Sequence, residues 1–154
     1  MASFSKIYMN LAIQEAKRAY DADEVPVGCL IVKDGRIIGS GFNQVKKNNC
    51  VADHAEIIAI KNAGMTIDNY RLYGCDVYVT LEPCHMCAKA LVDARVTNLY
   101  FGALEPKTGS VISIDNFLDS KHLNHKIKYS HGHMESNCVE LLQSFFKSKR
   151  SVKK

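Results

Sequence analysis

The chain has 154 residues, 47% hydrophobic and 23% charged, with a net charge of +4. These values suit one soluble globular domain with a real core, expected to span residues 1–154. No apolar run reaches the ~18 residues of a membrane span, and the first residues lead straight into an amphipathic pattern without a signal-peptide core, so the cytosol is the expected compartment.

In chain order, Met9, Ala12, Ile13, Ala16, Ala19 and Tyr20 recur at helical spacing, which predicts an amphipathic helix over residues 5–21. An apolar strand over 27–32 ends at Asp34-Gly35, a tight hairpin signal, and residues 37–42 return antiparallel to it. Residues 46–51 read as a polar loop. A helix is expected over 54–63 with Gly64 as its C-terminal cap. A β-rich strand covers 76–81. Pro83 can open the next helix, which runs to about Ala94, because its missing N–H costs nothing there. Another strand covers 99–103. Residues 105–116 form a loop, followed by a short helical stretch near Phe117 and a last strand over 126–130. The closing helix covers 136–149, with Leu141, Leu142, Phe145 and Phe146 inward and Ser136 as a possible cap. Strands alternate with helices, so the expected class is α/β, a three-layer α/β/α sandwich.

A chain of this size with six cysteines does not need disulfides, so reduced thiols are expected. Cys29 and Cys75 fall in apolar strand-like runs and Cys138 in a helical one, which suits buried small hydrophobes. Cys50 falls in a loop and stays open. The positive charge is concentrated: residues 147–154 carry five cations and no acid, leaving −1 elsewhere. Such a tail is either a solvated terminus or a phosphate contact.

The chemistry concentrates in His54-Ala55-Glu56 and Pro83-Cys84-His85-Met86-Cys87. One imidazole and two thiols offer three ligands to a tetrahedral metal and leave the fourth position for water, as in catalytic zinc sites. Cys84 and Cys87 are neighbours at a helix start, where thiolates are favoured. Two thiolates neutralise the dication, so its water is less acidic than in a three-histidine site, and a nearby base is required. Glu56, two residues from a ligand, is the candidate. A Cys-x-x-Cys pair alone also suits redox chemistry or structural zinc. Redox chemistry has no use for His54 and Glu56. Structural zinc needs a fourth ligand, and His85 should project from a different helix face. His131 and His133, and likewise His122 and His125, lack a ligand pattern around them.

With these residues the chain resembles the cytidine/deoxycytidylate deaminase superfamily, and more closely the bacterial tRNA-specific adenosine deaminases. The resemblance extends to Lys17-Arg18-Ala19-Tyr20-Asp21, Glu24-Val25-Pro26-Val27-Gly28, Gly41-Phe42-Asn43, Val79-Thr80-Leu81-Glu82, Phe101-Gly102-Ala103, Lys107-Thr108-Gly109 and Phe145-Phe146-Lys147-Ser148-Lys149-Arg150. It implies a five-stranded mixed sheet, a homodimer, and one zinc per subunit held by His54, Cys84 and Cys87 with Glu56 as proton shuttle. It implies hydrolysis of adenosine to inosine at the wobble position of a tRNA anticodon stem-loop. Asn43 would contact the flipped adenosine, Val27 would line its pocket and the Ala55 backbone would lie against the base. On its own, Asn43 could equally stabilise a turn.

For such a partner, Lys107, Lys147, Lys149 and Arg150 become candidate phosphate contacts, within a basic C-terminal helix and tail over about 136–154. The chain departs from the family where Asn49-Cys50-Val51-Ala52-Asp53 lacks the usual proline. Asp53 either alters RNA contact or caps the His54 helix. Two rivals remain: a free-base or nucleotide deaminase, which needs no basic helix, and a zinc-stabilised RNA-binding subunit, which needs no Glu56.

Overall fold

Alternation along β1 (Gly28–Lys33) decides the layering: Cys29 and Ile31 belong to one buried cluster, Leu30 and Val32 to another. A strand covered on both faces lies between two layers. The computed structural model, which describes residues 3–152, puts α1 (Lys6–Asp21) and α5 (Glu135–Val152) on the Leu30 side. It puts α3 (Ala55–Ile67) and α4 (His85–Ala94) on the Cys29 side. Between them the sheet runs β2-β1-β3-β4-β5, with β2 (Arg36–Phe42), β3 (Cys75–Leu81), β4 (Asn98–Ala103) and β5 (Lys128–Ser130). β1 pairs antiparallel with β2 and β3, whereas β3–β4 and β4–β5 are parallel. The expected three-layer sandwich with a five-stranded mixed sheet is what the chain forms. Among the described residues, no helix is long and apolar enough to cross a membrane.

Local chemistry explains the joints. Asp34 and Gly35 both take positive φ, +50° and +74°, as a two-residue hairpin turn requires. Under α3, a Cβ on Gly41 would lie 2.7 Å from the Ala55 carbonyl oxygen and 2.8 Å from the Ala59 nitrogen. The helix answers with Ala55, Ala59 and Ala63, all buried and one turn apart. Helix backbone therefore rests directly on strand backbone, and this contact sets how closely α3 approaches β2.

Several expected boundaries move. Gly64 does not end α3: the helix continues to Ile67 and Asp68 takes the left-handed cap at φ +53°. Gly64 instead admits the returning chain, since a Cβ there would be 3.2 Å from the Asn69 carbonyl oxygen. Pro83 precedes α4, whose N-cap is Cys84. Ser136 sits inside the first turn of α5, which is entered through Gly132 and Met134 at positive φ. That helix extends past Lys149 to Val152, so much of the basic tail is helical, while Lys153 and Lys154 lie outside the described residues. Phe146 is exposed rather than inward, whereas Leu142 and Phe145 pack inward as expected, joined by Cys138. The 46–51 loop contains a short helix, α2 (Val45–Asn48). Asp53 does not cap α3; its carboxylate accepts from Asn48 Nδ2 at 2.8 Å.

Candidate active site

Two helix starts meet on one face of the sheet. His54 is the N-cap of α3 and Cys84 the N-cap of α4, both in extended backbone. His54 Nδ1 lies 3.6 Å from Cys84 Sγ and 3.5 Å from Cys87 Sγ. One ligand atom from each of the three residues falls within 4.8 Å of the others, the spacing of a set that can share one metal ion. The positive ends of two helices favour anionic sulfur here. The Cys84 thiol is pulled down to about 4, first by the hydrogen bond from Cys87 and then, against burial, by His54. The same contact, together with burial, pushes Cys87 up. The donor set of one nitrogen and two sulfurs fits zinc.

His85 is not a fourth ligand. Its Nδ1 is 3.2 Å from Ser110 Oγ, whose hydroxyl donates to Asp115, and its ring packs on Phe117. Nor do His131 and His133 bind together: their rings stack on Phe101 and Phe4.

Beside these three candidate ligands opens a cleft of about 330 Å³, the scale of a small-molecule site. Val27, Asn43, His54, Ala55, Glu56 and Cys84 line it, so the residues expected at the base and the metal face one cavity except Cys87, whereas the phosphate candidates Lys107, Lys147, Lys149 and Arg150 do not line it. Glu56 is only 4% exposed, and burial pushes its carboxyl up to about 7, the range that suits proton transfer near neutral pH. Asn43 Nδ2 donates to the Val25 carbonyl at 3.4 Å. Its Oδ1 is buried without a partner among the described residues. A buried acceptor left open at a cleft wall calls for a donor from a ligand.

The basic residues are less uniform than the sequence implies. Lys149 pairs with Asp23 and lies 5.5 Å over the Phe145 ring, so it is already engaged. Lys147 and Arg150 are exposed on α5. Lys107 is exposed next to Thr108, which lines the cleft.

Sequence reasoning missed Glu24, Lys46, Glu82, Glu105 and Thr108 as parts of the cleft wall. Glu24 is buried and accepts the backbone N–H groups of Lys46 and Lys47 at 3.0 and 2.8 Å, holding α2 at the rim. At the end of Asp21-Ala22-Asp23-Glu24, Glu24 reads in sequence as surface charge; only the tertiary contact reveals it.

The cytidine and deoxycytidylate deaminase zinc-binding region, as a family pattern, matches residues 2–103. The tRNA-specific adenosine deaminase of Aquifex aeolicus is 44% identical over 144 residues, 94% of this chain and 95% of that protein. The tRNA-specific adenosine deaminase of Agrobacterium fabrum is 43% identical over 143 residues, 93% and 94% of the two chains. A solved structure from studies of A-to-I editing by tRNA:A34 deaminases superposes with a TM-score of 0.87 at 42% identity, covering 90% of this chain and 100% of that one. A guanine deaminase from Nitrosomonas europaea shares the fold, with a TM-score of 0.77 at 22% identity over 94% of this chain and 86% of that one. With this likeness spanning the metal-ligand set, the sheet and both flanking helix layers, the chain belongs to the cytidine and deoxycytidylate deaminase family.

Proposed function

We propose that this protein is a zinc-dependent tRNA adenosine deaminase that converts adenosine to inosine at the wobble position of an anticodon stem-loop. The carrying observation is that one cleft joins the His54, Cys84 and Cys87 set and buried Glu56 to the open Asn43 acceptor. The adenosine deaminases named above support the nucleotide.

His54, Cys84 and Cys87 would hold zinc, which supplies a Lewis acid to activate water. Glu56 would accept one proton from water as a C6–O bond forms on the base and pass it to N1. It would then carry the remaining C6 hydroxyl proton to the amine as the C6–N bond breaks, leaving a C6 carbonyl, so water enters and ammonia departs. Asn43 Oδ1 accepts from an N–H of the base, Val27 forms an apolar wall and the Ala55 backbone packs against the ring. Exposed Lys107, Lys147 and Arg150 contact phosphates, with Lys149 secondary because Asp23 holds it.

We also read the protein as a cytosolic homodimer. Met65 on α3 and Tyr70 just beyond it are 82% and 76% exposed, which supports a surface that a second copy covers. Sedimentation equilibrium checks the assembly.

The functional test is turnover of an anticodon stem-loop with adenosine at the wobble position, beside free adenosine, guanine and cytidine. Inosine from the stem-loop, abolished in Glu56→Gln, is the expected result. Turnover of a free base alone would replace the reading with a salvage deaminase.

A further inference from the structure

Glu82 lies two residues before Cys84 and is 2% exposed. It does not belong to the ligand set, yet its carboxylate is the most heavily bonded side chain near the site. Oε1 accepts from the Glu105 N–H at 3.0 Å and from the Ser113 hydroxyl. Oε2 accepts from the N–H groups of Val111, Ile112 and Ser113 at 3.1, 2.8 and 2.9 Å. Four of the five donors are main chain, so residues 105–113 form a nest around one buried charge. The nest closes tightly: a Cβ on Gly109 would lie 2.4 Å from Oε1.

This segment touches the chemistry at two places. Glu105 and Thr108 line the cleft. Gly109 bridges to Cys84, and the Ser110 N–H donates to the Pro83 carbonyl at 2.9 Å. The segment joins β4 to the remainder of the chain without regular secondary structure of its own until Phe117, and its backbone donors would otherwise need water. A single carboxylate thus organises both the cleft wall and the backbone beside a metal ligand.

We infer that Glu82 is a positioning residue: its carboxylate shapes residues 105–113 into the wall that receives the nucleotide, and through Gly109 and Ser110 braces Cys84 in its ligating position. This rests on the functional reading above and adds a residue that the chemistry itself does not use. Glu82 acts on how tightly the stem-loop seats and how long zinc stays, not on proton transfer.

The test is Glu82→Gln in the zinc-loaded enzyme. The amide keeps the shape but replaces one acceptor oxygen with a donor, so it must face N–H groups it cannot satisfy. Amide exchange at Glu105, Val111, Ile112 and Ser113 should quicken at least about tenfold, while Ile13 and Leu30 keep wild-type protection. KM for the stem-loop should rise about tenfold with kcat falling far less, in line with one to two lost charge-assisted bonds. Zinc release to EDTA should quicken about tenfold, as for other groups that orient ligands. Ser113→Ala, which removes only the hydroxyl donor, should show the same pattern at smaller size and serves if Glu82→Gln does not fold. Unchanged KM, unchanged zinc release, or exchange that quickens equally at Ile13 and Leu30 would each overturn the assignment. Absence of wild-type turnover on the stem-loop would instead defeat the functional reading, while exchange and zinc release would still decide the role of Glu82.

Discussion

Gly41→Ala probes the link between fold and site, because the two nearest atoms its added methyl meets are helix backbone, with the Ile58 side chain third at 2.9 Å. The new Cβ would lie 2.7 Å from the Ala55 carbonyl oxygen and 2.8 Å from the Ala59 nitrogen, against an ordinary contact that starts at 3.4 Å. Restoring that contact requires α3 to lift from β2 by about 0.7 Å (3.4 less 2.7 Å). Overpacking of this kind costs about 1–3 kcal/mol. The larger effect falls on chemistry. Ala55 follows His54 and precedes Glu56, so lifting the helix moves one proposed metal ligand and the proposed proton carrier together, while Cys84 and Cys87 stay with α4. Metal sites tolerate only about 0.2 Å of ligand misplacement. A shift near 1 Å can cost about a hundredfold in rate. Gly41→Ala should therefore fold, with a midpoint lowered in urea, bind zinc more weakly in chelator competition and turn over about tenfold to a hundredfold more slowly. Urea titration followed by circular dichroism, zinc competition and stem-loop turnover report the three effects separately. Wild-type zinc affinity and rate in a destabilised Gly41→Ala protein would refute the claim that this contact positions the site.

Three further outcomes are expected. Asn43→Ala removes the unpartnered Oδ1 and should lower kcat/KM for the stem-loop by about tenfold to a hundredfold, the value of a buried hydrogen bond to substrate; kinetics indistinguishable from wild type would make Asn43 a turn residue. Joint neutralisation of Lys147 and Arg150 to Gln should flatten the slope of log affinity against log salt by about 1.4, two single-strand phosphate contacts, whereas Lys149→Gln should change it less because Asp23 already holds that ammonium. Equal slopes for all these proteins would return α5 to a solvated helix. His133 stacks on Phe4 at 4.0 Å, and burial, then the neighbouring His131, hold its pKa below the usual 6.5. The unfolded chain binds this proton more readily, so stability should fall as pH drops through 6.5 toward the folded value. His133→Phe keeps a ring against Phe4 and should flatten that fall in denaturation midpoints; parallel curves would show that His133 does not contribute.

Much of the fold was legible because its signals are local. The 3.6-residue recurrence of Met9, Ala12, Ile13, Ala16 and Ala19 identifies α1 and its buried face. Asp34-Gly35 announces its hairpin because few residue pairs accept positive φ twice. Boundaries failed where a residue served a distant neighbour. Gly64 looked like a helix end and is a landing place for Asn69. Ser136 looked like a cap, but the turn through Gly132 starts α5 one residue earlier. Phe146 looked buried because helical periodicity does not say how wide the covered stripe is.

By itself the sequence determined the candidate ligand set, which the fold brings together. His54, Cys84, Cys87 and Glu56 are residue types with few other reasons to occur at these spacings, and the Cys84–Cys87 spacing alone places two thiols on one helix turn. Tertiary structure decided what encloses that chemistry. Glu24 and Glu82 are unremarkable acids until folding buries them and aims backbone N–H groups at them from 22 and 23 or more residues away. Asp23 commits Lys149, and Gly41 sets how closely α3 approaches the sheet, through contacts between segments far apart in the chain. Ligand identity is written in local residue type, whereas burial and long-range hydrogen bonding exist only once the segments are packed.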